Sequence, residues 1–414
     1  MKAEIITIGD ELLIGQVIDT NSTWIAQQLN DIGIQMHFKS TVSDNKFAIL
    51  QALKDAENRS DIVILTGGLG PTKDDITKQT FCDYFKSKLI RNPNVENWII
   101  DIFSKRNLPI IDANLMQADL PENCEVLWNR SGTAPGMWFE SNQKIFASFP
   151  GVPFEMKTIF KEEFIPKLLL IKKLPTIIHR TIQTCSLGES FLAKKIEPLE
   201  LTLPNHIKLA YLPAVGLVRL RFSAYGNNPD QLNEELNSIV KKLYDIIGEH
   251  IYAEGEQSLA ETIGNLLNKN KRTIAVAESC SGGFLSHLIT SIPGSSNYFK
   301  GGVIAYDNAI KISELAIPEN VLKQHGAVSE ACVLAMAQNI RNKFNTDYAI
   351  ATSGIAGPGG GSIEKPVGTV WIAIASGVSA KAYSFNMGDN RERTILRTAL
   401  MGLDLVRKEL LKLA

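Results

Sequence analysis

The chain has 414 residues, of which 44% are apolar, and its formal net charge is −1 at pH 7. This length exceeds one ordinary hydrophobic core and predicts two or three domains. The near-neutral charge argues against a protein that grips nucleic acid mainly through phosphate contacts, so we expect no nucleic-acid partner.

Targeting signals are not evident in the sequence. The start, MKAEIITIGD, carries acidic residues and lacks a long apolar run, which predicts that it is not a signal peptide. No apolar run approaches the roughly 20 residues of a membrane helix, so we expect no membrane partner. The five cysteines are odd in number and widely spread, which favours a reducing, cytoplasmic location.

The first 165 residues or so alternate strand and helix patterns. Residues 3–10 and 61–70 are apolar runs that predict buried strands, and residues 21–33 begin with a cap-like Asn-Ser and end in Gly, as helices do. This alternation predicts a doubly wound, mostly parallel α/β layer, whose ligands bind beyond the carboxyl ends of the strands. The stretches GDE (9–11) and GGLGPTKDD (67–75) follow such ends.

Residues from about 170 to 250 have a different pattern. The order β-α-β-β-α, with a long last helix from about Pro229 to Ile247, predicts a small α+β unit. This segment contains no cluster of catalytic residue types, so we expect a spacer or docking role.

From about residue 255 a third unit begins, again with alternating patterns. TIAVAE (273–278) predicts a strand that runs into SCSGG and then a helix, GGVIAYD (301–307) predicts a second strand, and DYAIATSG (347–354) predicts a third. These strands and the helices between them predict a second α/β layer.

The segment AESCSGG (277–283) combines nucleophilic side chains with two glycines at a strand-to-helix corner. Unpaired N–H groups at such a corner can bind an anion or an oxyanion, and Gly282 and Gly283 let a ligand approach closely. A serine nucleophile needs a base, and no histidine falls in a matching loop. His287 is expected to pack or to face solvent.

Lysine is the alternative base. Tyr306, Asn308 and Lys311 follow the second strand, and a partly buried lysine can act as a base because burial lowers its pKa. The third strand runs into the glycine-rich residues 353–361, which suit a phosphate. Each feature alone is more often a helix cap, a solvated lysine or a flexible hairpin. Their coincidence at successive strand ends favours an active site.

The N-terminal GGLGPTKDD stretch raises a second possibility. Its glycine N–H groups can hold a phosphate, and Asp74 and Asp75 with Asp10 could bind Mg²⁺ or a similar hard cation. Either adjacent aspartate could instead cap a helix. SGTAPGM (131–137) and FPGVPFEM (149–156) are further Gly/Pro loops after strand-like runs.

Several long motifs resemble one known family. TIGDELLIGQVIDTNS (7–22), GGLGPTKDD, SGTAPG and PGVPFEM resemble the first domain of the CinA family (competence/damage-inducible protein A), which is similar to the molybdopterin-binding fold of the MoaB/MogA proteins. AESCSGG, GSSNYFKGGVIAYDNAIK (294–311), HGAVSE (325–330) and SGIAGPGGGSIEKPVGTVW (353–371) resemble the family's C-terminal domain, which is related to nicotinamide-nucleotide amidases.

The resemblance implies a multi-domain α/β chain with two activities. Residues 1–168 would form a MoaB/MogA-like domain, a metal-dependent ADP-ribose pyrophosphatase in some relatives that uses a divalent cation of the Mg or Co class. Residues 169–253 would form a KH-like connecting domain, although no GxxG loop is present for gripping RNA. Residues 254–414 would deamidate nicotinamide mononucleotide to nicotinate mononucleotide and ammonia without a cofactor. A homodimer is also implied.

The family's functional positions carry over residue by residue. Ser279 falls on the nucleophile and Lys311 on its partner, and Ser281 stands where threonine is common. Tyr306 is expected to assist the reaction. GDNRERTILR (388–397) resembles a GDR…R pattern with one extra residue, so either arginine near its start could meet the phosphate. The expected metal ligands are Asp10, Asp74 and Asp75. The expected substrate-binding residues are Asn308, Gly282, Gly283, Ser353, Gly357, Gly359, Gly360, Arg391, Arg393, Gly67, Gly68, Gly70, Thr72 and Asn21.

The expected reaction follows from these roles. Lys311 takes the proton of Ser279, which attacks the carboxamide carbon, while N–H groups around residues 281–283 stabilise the oxyanion and Cys280 packs. Two alternatives stay open. In one, only the pyrophosphatase is active and the C-terminal domain binds without catalysis. In the other, the chain is a non-enzymatic interaction protein of competence or DNA repair.

Overall fold

The computed structural model describes residues 1–70, 75–172, 174–377 and 379–412. The chain divides into two compact units, one of Met1–Ile178 with Tyr225–Pro229 and the other of His179–Ala224 with Asp230–Ala414. The residues predicted to form a connecting domain therefore pack mainly with the C-terminal residues. Within the described ranges, no helix combines the length and the apolar composition needed to cross a membrane.

The first unit is a layered α/β structure. Its strands are β1 Lys2–Ile8, β2 Gln35–Val42, β3 Ile62–Thr66, β4 Leu89–Arg91, β5 Asp119–Pro121, β6 Glu125–Leu127, β7 Gly136–Ser141 and β8 Lys144–Phe149. Its helices are α1 Asp10–Leu13, α2 Thr20–Asp31, α3 Lys46–Arg59, α4 Thr77–Tyr84, α5 Pro93–Lys105, α6 Asp112–Leu115, α7 Pro153–Ile159 and α8 Ile165–Ile171.

The main sheet of the first unit has the order β2-β1-β3-β8-β7-β6. The strands β2, β1, β3 and β8 are parallel, whereas β7 and β6 run antiparallel to their neighbours. Separate apolar clusters, one around Phe160 and the other around Phe81, bury the sheet. Because β1 and β3 lie side by side and parallel, the loops after both strands meet at one edge of the sheet.

The second unit contains two sheets. Its strands are β9 Thr176–Cys185, β10 Ile207–Ala214, β11 Leu217–Gly226, β12 Ile251–Glu254, β13 Ile274–Glu278, β14 Phe299–Ile304, β15 Tyr348–Gly354, β16 Thr369–Ser376 and β17 Ala380–Asn386. Its helices are α9 Glu189–Glu200, α10 Pro229–Ile247, α11 Leu259–Lys269, α12 Phe284–Thr290, α13 Asn308–Leu315, α14 Glu319–His325, α15 Glu330–Phe344 and α16 Arg391–Leu411. The predicted β-α-β-β-α order of the middle segment and its long helix α10 are confirmed.

The two sheets of the second unit have the orders β10-β11-β9-β12 and β14-β13-β15-β16-β17. In the latter, β14, β13 and β15 are parallel and β16 and β17 are antiparallel. Apolar clusters cover both faces of this sheet, which explains why all five residues of β13 are buried. The chain is therefore mixed α/β, as predicted, and the ends of three adjacent parallel strands lie together.

Candidate active site

The turn after β13 is built by two glycines in the left-handed region. Gly282 has φ 60° and Gly283 has φ 96°, values that L side chains rarely adopt, so glycine is required for this corner. The turn leads directly into α12 and leaves Ser279 at the end of β13, where 8% of its surface is exposed. The sequence therefore places a nearly buried serine at the carboxyl edge of the sheet.

The Glu278 side chain holds the turn after β13 through hydrogen bonds in the protein interior. Its fully buried carboxylate accepts hydrogen bonds from the N–H groups of Gly283 (3.0 Å), Leu285 (3.0 Å) and Ser286 (2.7 Å), and from the Ser286 hydroxyl at 2.5 Å. The N–H groups at the start of α12 thus compensate a buried negative charge. The sequence interpretation treated Glu278 only as the end of a strand, although its position directly before Ser279 was a usable signal.

The oxyanion donors differ from the expected set. The Gly282 N–H donates to the backbone oxygen of Ser279 at 3.1 Å, and the Gly283 N–H donates to Glu278. These two glycines shape the turn, and their N–H groups are already used. In the described part of the chain the N–H groups of Cys280 and Ser281 have no hydrogen-bond acceptor. Among the N–H groups of this turn, these two are therefore the ones not already used by another residue.

Lys311 reaches the serine from the neighbouring strand end. Its Nζ lies 3.2 Å from the Ser279 Oγ, 2.7 Å from the Ala305 carbonyl oxygen and 3.1 Å from that of Tyr306. A carbonyl oxygen can only accept, so a neutral amine can donate its two hydrogens to these carbonyls and direct its lone pair at the Ser279 hydroxyl. The contacts therefore suit a lysine that works as a base.

The environment of Lys311 favours that neutral form. Only 1% of the residue is exposed, and burial lowers the pKa of Lys311 below its ordinary value, although thiol groups and Asp307 oppose the shift. Within the described residues no carboxylate lies within 4.0 Å of its amine. Desolvation without a close counter-charge is the usual route to a lysine base near neutral pH.

Thr352, on the third parallel strand β15, supports the serine turn. Its backbone oxygen accepts the Ser279 N–H at 2.9 Å, and its hydroxyl lies 2.7 Å from the Ser281 hydroxyl in a buried contact. This threonine fixes the backbone of Ser279 and the orientation of Ser281. Sequence reasoning missed Thr352 because the contact joins positions 71 residues apart.

The two candidate arginines are placed differently. Asn390 caps α16, and Arg391, its first residue, donates to the Gly357 backbone oxygen at 2.8 Å and to the Tyr306 hydroxyl at 2.9 Å. Arg391 therefore joins the glycine loop to the tyrosine beside Lys311. The side chain of Arg393 is exposed and makes no such contact in the described structure.

The remaining predicted residues have varied surroundings. The Ser353 hydroxyl donates to the Ala327 backbone oxygen at 2.7 Å and is therefore engaged within the protein. Asn308 begins α13 and is exposed, and Gly359 and Gly360 are exposed on the loop beside Gly357. Burial raises the pKa of the Cys280 thiol to about 12, as expected for a packing residue rather than a nucleophile.

The first unit contains a separate cavity of about 560 Å³ at the edge where β1 and β3 end. Gly67 and Gly68 line it with φ 112° and 65°, and a Cβ on Gly67 would lie 2.3 Å from the Ile8 backbone oxygen. Asn21 donates to the Gly151 backbone oxygen at 2.8 Å, which fixes its amide orientation. Its own Oδ1 is buried without a partner in the described structure, so it can accept from a ligand.

The lining of this cavity is strongly acidic. No lysine or arginine lies among its described lining residues. Its carboxylates are Glu11, Asp19, Asp44, Asp75 and Glu155. The cavity therefore suits cations, or anions accompanied by cations.

The expected metal ligands are only partly described. Asp74, an expected metal ligand, and Thr72, an expected substrate-binding residue, lie outside the described residues. Asp75 lines the cavity beside Gly70, whereas Asp10 is exposed at the start of α1 and donates its N–H to Asp44 at 3.1 Å. The described residues contain no group of three or more His, Cys, Asp or Glu side chains that could hold a metal ion.

Comparisons with known proteins cover all of these segments. Residues 4–169 match a probable molybdopterin binding domain, residues 179–253 the damage-inducible protein CinA KH domain, and residues 256–410 the CinA C-terminal domain. A CinA-like protein of Cytophaga hutchinsonii is 48% identical over 99% of this chain and 98% of its own length. A CinA-like protein of Flavobacterium psychrophilum is 47% identical over 100% of this chain and 99% of its own length.

A solved structure of a competence/damage inducible protein, CihA, from Agrobacterium tumefaciens is 34% identical. It covers 36% of this chain and 92% of its own, with a TM-score of 0.36. The chain is similar to the CinA-like proteins over its full length. On that similarity, the chain belongs to the CinA family.

Proposed function

We propose that the second unit is an amidase that hydrolyses the carboxamide of a nicotinamide nucleotide. The observation that carries this proposal is the 3.2 Å contact between the Lys311 amine and the Ser279 hydroxyl, both nearly buried at adjacent strand ends. A serine and a neutral lysine within proton-transfer distance form a nucleophile and its general base.

The acylation step uses the groups described above. Lys311 removes the Ser279 proton as the oxygen attacks the carboxamide carbon, and the negative charge on the carbonyl oxygen is stabilised by the Cys280 and Ser281 N–H groups. The protonated lysine then gives its proton to the departing nitrogen, which leaves as ammonia. The serine is left as an acyl ester.

Deacylation repeats these proton transfers, with water in place of the serine as the attacking group. Lys311, neutral again, takes a proton from water, and the resulting hydroxyl attacks the ester carbon. The proton returns to Ser279 as the carboxylate product leaves. One water is consumed for each ammonia and carboxylate formed, and no cofactor is required.

The nucleotide preference is inferred from Arg391 and the glycine loop. Nicotinamide mononucleotide, the substrate implied by family resemblance, has an aromatic carboxamide at one end and a phosphate at the other. Arg391 is exposed and is held by Tyr306 and Gly357, so its guanidinium can meet the phosphate beside the loop N–H groups.

A direct assay tests this proposal. The full chain is incubated with nicotinamide mononucleotide, and ammonia and nicotinate mononucleotide are measured. Ser279→Ala should abolish both products while the circular dichroism spectrum is unchanged, and Cys280→Ala should keep most of the activity. Loss of activity in Cys280→Ala with retention in Ser279→Ala would overturn the assignment.

A second activity is favoured by the acidic cavity of the first unit. We infer a metal-dependent ADP-ribose pyrophosphatase there, because a diphosphate can enter a cavity lined by five carboxylates only with cations. The cation would supply charge neutralisation at the diphosphate and activation of water. Asp75, which lines the cavity, is an oxygen ligand of the kind that Mg²⁺ prefers, and Asp10 and Asp74 of the family motif would add the same chemistry.

ADP-ribose cleavage tests this second proposal separately. Asp75→Asn should reduce AMP release in the presence of Mg²⁺ or Co²⁺, whereas Asp83→Asn, an exposed change on α4 outside the cavity, should not. Neither variant should alter ammonia release. Absence of both activities in the wild-type chain, combined with salt-sensitive DNA binding, would instead support the non-enzymatic alternative.

A further inference from the structure

A cavity of about 380 Å³ lies within the second unit, away from Ser279. One wall is the turn after β9, the second is the hairpin of β10 and β11, and the third is α16 with the end of β17. Small-molecule sites commonly lie where separate layers of a fold meet, and this volume is within their usual range.

The walls of this cavity are mainly apolar. Pro213, Leu217 and Leu400 line it together with Met387 and Met401, and the Met401 sulfur lies 3.5 Å from the Ser186 hydroxyl. Methionine side chains adapt to irregular surfaces, and their sulfur atoms make favourable contacts with aromatic rings. The lining therefore suits a flat, aromatic body better than a fully polar one.

Arg397 provides a positive charge in this apolar setting. The half-buried side chain donates from Nη1 to the Met387 backbone oxygen at 2.9 Å. No carboxylate of the described residues lies within ion-pair distance of it. A guanidinium has five N–H donors, so several remain for an anion.

The neighbouring acidic groups do not neutralise Arg397. Glu189, the acidic residue that lines the cavity, is exposed at the first position of α9. Asp404 lies behind the wall, and its carboxylate is already paired with Arg407 at 2.7 Å and with Lys408 at 3.3 Å. The Ser186 hydroxyl, which also lines the cavity, donates to Asp404 at 2.5 Å.

We propose that this cavity binds a small aromatic carboxylate. The carboxylate pairs with the Arg397 guanidinium, and the ring lies between the thioethers of Met387 and Met401. This site is separate from the proposed amidase, because neither Ser279 nor Lys311 is among its described lining residues. The occupied site stabilises the packing of the β10–β11 hairpin on α16, since the ligand contacts both only in the folded chain.

Titration calorimetry on the full chain tests the proposal with matched probes. Benzoate and nicotinate should bind, whereas their neutral counterparts benzamide and nicotinamide should bind at least about tenfold more weakly, because they lack the charge for Arg397. Arg397→Gln should weaken benzoate binding to a similar extent. Arg393→Gln, an exposed change on the same helix, is the matched control and should leave benzoate affinity unchanged.

Two further measurements keep the test decisive if Arg397→Gln folds poorly. Ala214 is exposed at the cavity mouth, so Ala214→Trp should block benzoate with little effect on the core. In the wild type, benzoate should shift the methyl NMR signals of Met387 and Met401 but not those of the other methionines. Equal binding of benzamide, or benzoate binding unaffected by both variants, would overturn the proposal.

Discussion

The amine of Lys311 and the hydroxyl of Ser279 lie 3.2 Å apart although 32 residues separate them in the chain. The contact forms because β13 and β14 are adjacent parallel strands, so the segments that follow both emerge at the same edge. Thr352 lies near the same edge, on β15, which pairs with β13 on the side opposite β14. The proposed chemistry depends on this three-strand arrangement.

Lys311→Met should lower amidase activity by about a thousandfold or more, because the serine loses its base. Lys323→Met, an exposed lysine on α14 that pairs with Glu319, is the control and should retain activity. Ammonia release measures both. Wild-type activity should rise with pH and level off at the pKa of Lys311, which burial sets below the usual 10.5.

The same pKa shift predicts how stability changes with pH. The folded-state pKa of Lys311 is lowered, so the unfolded chain holds this proton more tightly and the charged amine costs stability at low pH. This cost is complete below the folded pKa and disappears as the pH rises towards 10.5. The unfolding free energy of the wild type relative to Lys311→Met should therefore increase between neutral and alkaline pH in denaturant titrations.

Glu278→Gln should impair both folding and turnover. The amide nitrogen cannot accept the N–H groups that the carboxylate now accepts, so the turn carrying Ser279 shifts. We expect kcat to fall about ten- to a hundredfold, with a lower melting temperature. Glu330→Gln, at an exposed position in the first turn of α15, should change neither. An unchanged kcat in Glu278→Gln would show that this carboxylate does not position the turn.

Thr352→Val and Ser281→Ala should be coupled. Each variant removes one partner of the buried 2.7 Å hydroxyl contact, so the second change should cost little once the first is made. A double-mutant cycle on kcat measures this interaction. Fully additive effects would mean that Thr352 does not orient Ser281.

Thiol reagents should not inactivate the amidase at pH 8. Burial raises the pKa of the Cys280 thiol to about 12, so almost none of it is ionised and reactive at that pH. Residual ammonia release after iodoacetamide treatment, together with mass spectrometry of the peptide containing Cys280, checks this. Rapid labelling of Cys280 with loss of activity would contradict its packing role.

Arg391→Gln should weaken the binding of the phosphate end of the substrate. We expect KM for nicotinamide mononucleotide to rise about tenfold or more, with little change for the phosphate-free nucleoside. Arg393→Gln should have a much smaller effect, because its side chain is exposed and makes no hydrogen bond to the glycine loop in the described parts of the chain. If Arg391→Gln raised KM equally for the mononucleotide and the phosphate-free nucleoside, Arg391 would not recognise the phosphate.

The sequence alone determined the α/β class, the β-α-β-β-α middle segment and the positions of the strand ends that carry Ser279 and Lys311. These features follow from local patterns, since apolar runs, glycines and cap residues act within about one element. The family motifs added roles for these residues because those motifs are contiguous in the chain.

Only the tertiary structure decided which groups meet. In the folded chain the Gly283 N–H donates to Glu278, and the Thr352 hydroxyl lies beside that of Ser281. Arg391, and not Arg393, donates to the glycine loop. It also formed the cavity beside Arg397 from segments far apart in the chain. Sheet order and helix packing set these contacts, and neither is encoded in the pattern of any single segment.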